Sequence, residues 1–235
     1  FKLEYIMVRK VKINYVEKVR VAKMWAKRII GVSMLFLITY VIGTFNPNDY
    51  KLNKLSKEYE YKYLEKLKEL DLREPEFTYN NDMQFVRATH KCIDYHNFTL
   101  AEVFRVPYEM VTAQAALESG WGTSRFAKEG DNLFGIRVFN KDYPHMLPLS
   151  QKEWKGWGVR IFATKCDSVK EYIRLMNEHP AYEKFRKLRL KQLAEDGKMD
   201  PIELVKTLDK FSTTPDYAQR VIVIIKKIRK LEESK

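Results

Sequence analysis

Cysteine and histidine are scarce in this chain of 235 residues, which contains two cysteines and four histidines. Cys92 and Cys166 lie far apart, so the C-x-x-C spacing typical of zinc sites does not occur. The sequence therefore predicts no metal site and no cofactor. In an oxidising compartment the two cysteines could form a disulfide, or they could be two separate buried thiols, and the sequence leaves both alternatives open.

The chain also lacks internal repeats and low-complexity segments. Hydrophobic residues make up 45% of it, with 14 tyrosines and 13 phenylalanines, which is enough to build a packed core. Global disorder is excluded on this composition. The length suits one globular domain with extensions.

Positive charge is concentrated at one end of the chain rather than spread over it. Of the net charge of +12, residues 1–28 contribute nine Lys and Arg against two acids. Residues 49–74 balance at seven of each sign, and residues 75–235 hold 27 basic against 22 acidic side chains. This distribution argues against a nucleic-acid partner, which would favour a basic stripe on the folded domain.

Residues 29–48 contain no charged side chain. A helix of about 20 residues can cross about 30 Å of hydrocarbon, so we interpret this run as a single-pass transmembrane signal anchor. A buried core helix would carry a polar stripe, and a cleaved signal peptide would have a small-x-small cleavage site; the run has neither. The basic arm predicts a cytoplasmic N-terminus in the inner membrane, with the later residues periplasmic or otherwise extracytoplasmic.

These features divide the chain into a basic arm (1–28), an anchor (29–48), a helical stalk or linker (49–75) and a folded domain (76–235). The leucine and tyrosine spacing predicts a helix over residues 51–72. That helix is either a coiled-coil stalk that dimerises the protein or a single helix docked on the domain.

The folded domain is predicted to be α+β and mainly helical. Residues 131–162 have Gly, Pro and aromatic residues but no helical period, which indicates a small β-lobe or a long active-site loop. Helices are predicted on both sides of this region, over residues 81–95, from Pro107 to the Gly120 turn, and over 168–177, 180–193, 201–211 and 215–231.

Glu118 is the candidate catalytic residue. It follows a run of small apolar residues in the last turn of a helix that Gly120 and Gly122 terminate. The C-terminal end of a helix disfavours negative charge, and the nearby Trp121 would desolvate the carboxyl. Both effects raise the pKa of Glu118, as a general acid near neutral pH requires. An ordinary exposed glutamate at a helix end is the alternative.

The run A-x-x-A-L-E-S-G-W-G-x-S at 113–124, followed by N-L-F-G at 132–135, is similar to the signature of bacterial peptidoglycan β-N-acetylglucosaminidases. That family includes autolysin glucosaminidases and the flagellar muramidase-like domain. The later residues Ile161–Thr164, Asp167–Val169, Tyr172 and His179–Tyr182 most resemble its Bax-type branch. The resemblance covers residues 82–230 and implies a lysozyme-like helical domain with a small β-lobe.

The resemblance also implies the roles of individual residues. Glu118 would be the proton donor, and Tyr217, in an element similar to the family's T-D-P-x-Y-A but with Asp and Pro exchanged, would help to position the sugar. The alternative for Tyr217 is packing on the last helix. The remaining predicted substrate contacts are Trp121, Ser124, Asn132, Phe134 and Gly135; Phe134 could equally belong to the core of the lobe.

The second catalytic group is less defined by the sequence. A retaining or inverting glycosidase needs a second carboxylate, and the predicted β-lobe offers Asp131, Asp142 and Glu153. We favour Glu153, between Trp154 and Trp157, over a solvated loop glutamate. Assistance from the substrate's own N-acetyl group is a further alternative.

The sequence thus predicts a membrane-anchored hydrolase that cleaves peptidoglycan glycan strands at N-acetylglucosamine. A lytic transglycosylase on the same fold would use Glu118 alone and leave an anhydro-sugar end. A catalytically silent glycan-binding envelope scaffold is the alternative from a different class of protein, and a phage lysis enzyme would also fit the anchor.

Overall fold

The computed structural model describes residues 2–45, 49–70 and 72–233. These residues fall into two compact units, Phe1–Leu52 and Asn53–Lys235. The first unit consists mainly of one long helix, α1 (Lys2–Phe45), on which Ile30, Leu35 and Phe36 are exposed. In the part of the chain that is described, no helix combines the length and the apolar character that crossing a membrane requires. Residues 46–48, which end the predicted anchor, lie outside the described residues.

A second helix, α2 (Asp49–Glu69), coincides with most of the predicted stalk. Leu67 near its end is buried, whereas Leu55 and Leu64 are exposed. Dimerisation through this helix stays a prediction.

The remaining helices build the folded domain, and α4 lies at its centre. Every residue of α4 from Met110 to Ala116 is buried, because small alanine side chains let neighbouring helices approach on all sides. α4 packs mainly against the last helix, α9, and α3 packs against α6. The bounds are α3 Asp82–Asn97, α4 Tyr108–Ser119, α5 Arg125–Glu129, α6 Lys165–Glu178, α7 Glu183–Asp196, α8 Pro201–Val205 and α9 Tyr217–Glu233, with short 3-10 turns at Glu102–Phe104 and Pro180–Tyr182.

The two cysteines form a disulfide between α3 and α6. Cys92 and Cys166 are 74 residues apart in sequence, and their Cα atoms are 5.2 Å apart. Both side chains are fully buried in the domain core. The structure therefore selects the paired alternative of the two that the sequence left open.

A small three-stranded antiparallel sheet occupies the region predicted as a β-lobe. Its strands are β1 (Arg137–Val138), β2 (His145–Met146) and β3 (Gly158–Arg160), in the order β1-β3-β2. Val138 pairs with Gly158, and Met146 pairs with Val159. The mainly helical α+β architecture is confirmed.

Two helices differ from the prediction. α5 was not predicted, because a helix of five residues is too short to show a helical period. α8 ends at Val205 rather than near Phe211, because the following residues turn through hydrogen bonds from Thr207 N to Leu204 O and from Leu208 N to Val205 O.

Candidate active site

The turn that ends α4 fixes the position of Glu118. Three consecutive residues, Gly120, Trp121 and Gly122, have left-handed backbones with φ of 58°, 57° and 78°. The amide of Trp121 donates to the carbonyl of Ala116 over 2.8 Å, which closes the helix end. Glu118 therefore lies in the last turn of α4, where the sequence predicted it.

Ser119 holds this turn together from inside. Its buried hydroxyl donates to the carbonyl of Ala115 at 2.5 Å and accepts the amide of Gly122 at 2.7 Å. The amide of Ser124 donates to the carbonyl of Ser119 over 2.9 Å. The serine of the E-S-G-W-G run thus stabilises the turn that presents its neighbour, Glu118.

The carboxyl of Glu118 has a raised pKa. Glu118 is exposed as a residue, yet neighbouring protein atoms remove enough water from its carboxyl to raise the pKa by desolvation. A hydrogen bond from Tyr217 and the positive charge of Arg220 act in the opposite direction, and the net shift remains upward. The carboxyl therefore retains its proton to a higher pH than a freely solvated glutamate does.

Tyr217 joins Glu118 to a buried chain of polar side chains. Tyr217 is hydrogen-bonded to the carboxyl of Glu118, and its hydroxyl accepts the side-chain amide Nε2 of Gln114 at 2.9 Å. The Oε1 atom of Gln114 in turn accepts the hydroxyl of Tyr172. Since a phenol has one proton to donate, the donor from Gln114 leaves the Tyr217 proton for Glu118.

Three different helices supply this chain. Gln114 precedes Glu118 by one helical turn of α4, Tyr172 comes from α6, and Tyr217 begins α9. Burial and the nearby Glu118 charge both raise the pKa of Tyr217, with burial the larger cause, so this phenol stays protonated and remains a hydrogen-bond donor at neutral pH.

Aromatic rings pack around the polar chain. Phe211 is stacked on Tyr217 with a centroid distance of 5.3 Å, and it lies 6.1 Å from Tyr182 and 6.2 Å from Tyr172. Phe211 and Tyr182 are partly exposed, so they present ring surface beside Glu118's partners. Such surface can stack on a sugar ring.

Two of the predicted substrate contacts, Asn132 and Phe134, have structural roles in the fold. All four hydrogen bonds of the buried Asn132 amide go to backbone groups: Nδ2 donates to the carbonyls of Ile136 and Arg160, and Oδ1 accepts the amides of Phe134 and Ile136. No group of Asn132 is left for a sugar. Phe134 is 4% exposed and stacks on Tyr172 at 4.3 Å, so it belongs to the core.

Ser124 has a structural role at the start of α5, and its contact with substrate stays a prediction. Its hydroxyl accepts the amide of Ala127 and caps α5, which accounts for the serine without a substrate.

Trp121 and Gly135 have defined positions, while their contact with substrate stays a prediction. The Trp121 ring packs edge-on against Phe85 at 5.9 Å, and Lys227 lies 4.2 Å from its centroid. The sequence predicted that this ring removes water from the Glu118 carboxyl. The ring contacts that the structure shows for it are instead with Phe85 on α3 and Lys227 on α9. Gly135 is exposed with φ of 64°, so its left-handed backbone favours glycine.

The three candidate second carboxylates lie in different settings. Asp131 is paired with Lys165 at 2.5 Å, which fixes it to the start of α6. Glu153 and Asp142 are exposed in the loops of the β-lobe. Neither carboxylate makes a hydrogen bond or ion pair with any residue that the structure describes. The role of Glu153 stays a prediction.

No metal site accompanies these residues within the described part of the chain, where no group of three His, Cys, Asp or Glu side chains could hold an ion.

Sequence reasoning missed Gln114 as a functional residue. The sequence did contain a signal for it. Gln114 is a glutamine among alanines, and it precedes Glu118 by four residues, which places both on the same face of the helix. Phe211 and Arg220 carried no comparable signal, since both reach the site only through the packing of α9 and its preceding turn against α4.

Comparison with known proteins gives one family match. The glucosaminidase family model, described as mannosyl-glycoprotein endo-beta-N-acetylglucosaminidase, matches residues 96–230, more than half of the chain.

Among curated proteins, the chain is 33% identical over 117 residues to the protein bax of Escherichia coli, covering 50% of this chain and 40% of that protein. It is 26% identical over 136 residues to the exo-glucosaminidase LytG of Bacillus subtilis, covering 56% and 48%. The chain thus spans less than half the length of these relatives. Among solved structures, the glycoside hydrolase domain of FlgJ from Salmonella typhimurium is 20% identical with a TM-score of 0.49, covering 66% of this chain and 92% of that one.

Proposed function

This chain belongs to the glucosaminidase family over residues 96–230, and from that membership we propose that it hydrolyses peptidoglycan glycan strands after N-acetylglucosamine, with Glu118 as the general acid. The family consists of glycoside hydrolases, and the relative FlgJ of Salmonella typhimurium is named a peptidoglycan hydrolase, which supports peptidoglycan as the proposed substrate. The observation that carries the proposal is the desolvated Glu118 carboxyl, held by a phenol at the end of the buried helix α4.

Cleavage of a glycosidic bond needs a proton on the leaving oxygen while positive charge develops on the sugar ring. The raised pKa keeps a larger fraction of Glu118 protonated at neutral pH, ready to supply that proton. Once the proton leaves, Tyr217 donates a hydrogen bond to the new carboxylate, and Arg220 stabilises its charge. The same two groups therefore assist the product side of the proton transfer.

The second catalytic group is proposed to be Glu153. Two observations support it: Glu153 is exposed on the β-lobe, and its carboxylate forms no ion pair with a described residue. Asp131, in contrast, is paired with Lys165. Replacement of Glu153 by Ala should reduce kcat by orders of magnitude. Near-normal activity would transfer the role to Asp131, to Asp142 or to the substrate's N-acetyl group.

The test of the reaction is mass spectrometry of peptidoglycan digested by the purified chain, with Glu118→Gln alongside. Reducing N-acetylglucosamine ends from the wild type and no product from a folded Glu118→Gln variant are expected. Anhydro-muramic ends would instead identify a lytic transglycosylase. Absence of product from a well-folded wild type would favour a glycan-binding scaffold, and substantial turnover by Glu118→Gln would overturn the general-acid assignment.

We further propose that the chain is anchored in the inner membrane by residues 29–48, with the domain on the extracytoplasmic side. The support is the uncharged run, the exposed apolar side chains of α1 and the basic arm before them. The Cys92–Cys166 disulfide agrees with an oxidising compartment. Protease accessibility of the domain in spheroplasts tests this topology, since a domain protected until the membrane is dissolved would contradict it.

A further inference from the structure

A concave region lies between the β-lobe and the face of α6 that carries Glu171. Its cavity has a volume of about 490 Å³ and is lined by residues of β1, β3, α6 and the loop after β1. Three lining side chains are arginines, Arg137, Arg160 and Arg174, whereas Glu171 is the one carboxylate among the residues that line it. The lining therefore has an excess of positive charge.

Glu171 fixes two of the three guanidinium groups. Its carboxylate lies 3.1 Å from Nη1 of Arg160 and receives two hydrogen bonds of 2.8 Å from Arg174. Arg174 is further paired with Glu178 at 2.5 Å. Arg160 shares the Glu171 carboxylate with Arg174, which makes the two shorter contacts to it. The remaining N–H groups of the Arg160 guanidinium can therefore donate to a second anion.

Arg137 has no carboxylate partner among the described residues. Its guanidinium lies 4.1 Å from the centroid of the Trp157 ring, and the side chain is exposed. The aromatic face holds the charge in place without neutralising it. A guanidinium at the edge of a cavity, without a carboxylate partner among the described residues, is suited to an external anion.

The backbone beneath these arginines is fixed by Asn132. Its amide donates to the carbonyls of Ile136 and Arg160, and the amide of Arg160 donates to the carbonyl of Ile136 over 2.8 Å. These bonds join the residue before β1 to the end of β3, so they set the spacing of Arg137 and Arg160. The backbone positions of the two arginines are therefore set by the fold of the lobe.

The rim of the cavity exposes aromatic surface. Phe139 is 75% exposed and Tyr143 is 52% exposed. Arg160 lies 5.8 Å from the Tyr143 ring and 4.7 Å from the Phe162 ring. A ligand that combines carboxylates with short apolar side chains would match both parts of this lining.

We propose that this cavity binds the free carboxylates of the peptide stems carried by the glycan strands. The inference rests on the proposed peptidoglycan function and deepens it, because it makes stem-bearing strands, rather than bare glycan, the preferred substrate. Arginine forks match planar carboxylates in a two-bonded geometry, whereas neutral sugar rings would require no cluster of guanidiniums.

The position of α6 connects the two sites. Tyr172 is the residue after Glu171 and is buried against Gln114, so it belongs to the polar chain that ends at Glu118. Glu171 lines the arginine cavity. One turn of α6 therefore places Tyr172 against the polar chain of Glu118 and Glu171 in the lining of the stem-binding cavity.

The test compares Arg137→Gln with wild type, both as the chain of 235 residues, on glycan strands with their stems and on strands whose stems an amidase has removed. Wild type should have the lower KM on stem-bearing strands. Arg137→Gln should raise that KM about tenfold, leave kcat near the wild-type value and leave KM on stem-free strands unchanged, since one tenfold step matches the loss of one charged hydrogen-bond pair. Arg137→Lys retains the charge and should fall between them.

The control is Lys198→Gln, which removes one positive charge at an exposed position away from the cavity and should behave as wild type. Equal effects of Arg137→Gln on both substrates, or no stem preference in wild type, would overturn the proposal. A second experiment measures binding directly and needs no catalysis: the protein is titrated with the free stem peptide and, separately, with inorganic phosphate. Peptide binding that Arg137→Gln weakens supports the cavity even if strands are not cleaved, and binding of phosphate alone would overturn the peptide assignment.

Discussion

At the scale of single residues, the site is controlled by what surrounds one carboxyl. Desolvation raises the pKa of Glu118, while Tyr217 and Arg220 restrain that rise by stabilising the ionised form. Acid catalysis needs the protonated form, so activity should fall as pH rises through the raised pKa. The contribution to stability has the same sign, because the folded state binds this proton more tightly than the unfolded chain and loses that advantage as the pH rises.

Replacement of Tyr217 by Phe should shift the alkaline limb of the kcat/KM profile to higher pH. The variant removes the hydrogen bond that lowers the pKa of Glu118, so the carboxyl stays protonated further into the alkaline range. The measurement is a pH series of kcat/KM. Tyr182→Phe is the matched control, because it removes a nearby phenol that is not among Glu118's partners, and its limb should not move. A shift of the Tyr217→Phe limb to lower pH would contradict the assigned hydrogen bond.

Replacement of Gln114 by Leu tests whether the buried amide positions Tyr217. The change preserves volume but leaves the hydroxyl of Tyr172 without its acceptor and that of Tyr217 without its donor. We expect kcat to fall on the order of 10- to 100-fold with little change in KM, since small misplacements of catalytic groups have effects of that size. The loss of buried hydrogen bonds should also reduce the free energy of unfolding by about 1–3 kcal/mol.

Thr112→Val is the control for Gln114→Leu. Thr112 is an equally buried polar residue of α4, and its hydroxyl has no hydrogen-bond partner within the described structure. Its replacement should leave kcat unchanged. If Gln114→Leu lowered only stability and left kcat and the pH profile as in wild type, Gln114 would be a packing residue alone.

At the scale of elements, the local sequence pattern was enough to locate the central helix and the β-lobe. It was not enough to predict which way every side chain points. The small residues before Glu118 and the glycines after it predicted both a helix and its end, because those properties are local. Asn132 was predicted to contact substrate, and its amide instead bonds to the backbone of the lobe. For Phe134 a groove and the core were both open, and its ring packs in the core. Their direction depends on the contacts between β1, β3 and α6, which are distant in sequence.

Two glycines with left-handed backbones, Gly122 in the turn after α4 and Gly135 just before β1, offer a matched pair of substitutions. A Cβ on Gly122 would collide with the Tyr79 ring, whose hydroxyl donates to the Gly122 carbonyl at 2.7 Å and which packs against Phe77 and Phe85. Gly122→Ala should therefore reduce the free energy of unfolding by about 2–5 kcal/mol, from left-handed strain and overpacking together. Gly135→Ala has the same backbone strain but no neighbouring atom within 4 Å, so it should lose about 1–2 kcal/mol. Urea unfolding of both variants measures the difference, and equal losses would show that Tyr79 moves aside freely.

At the scale of the whole molecule, the disulfide joins two helices that also pack against each other. Cys92 on α3 and Cys166 at the start of α6 close a loop of 74 residues. The entropy that such a loop removes from the unfolded chain corresponds to about 4 kcal/mol of stability. That is a large share of the roughly 5–15 kcal/mol by which single domains are stable. The bond should therefore decide whether the domain is robust or marginal.

We expect reductant to lower the urea midpoint of wild type strongly and to leave a Cys92→Ala/Cys166→Ala variant unaffected at its own lower midpoint. Reduced protein that is still folded should retain its activity, because the bond lies at the start of α6, six residues before Tyr172. An unchanged wild-type midpoint in reductant would contradict a structural disulfide. A large shift would mean that the folded enzyme persists best where thiols are oxidised, which is the side of the membrane on which its proposed substrate lies.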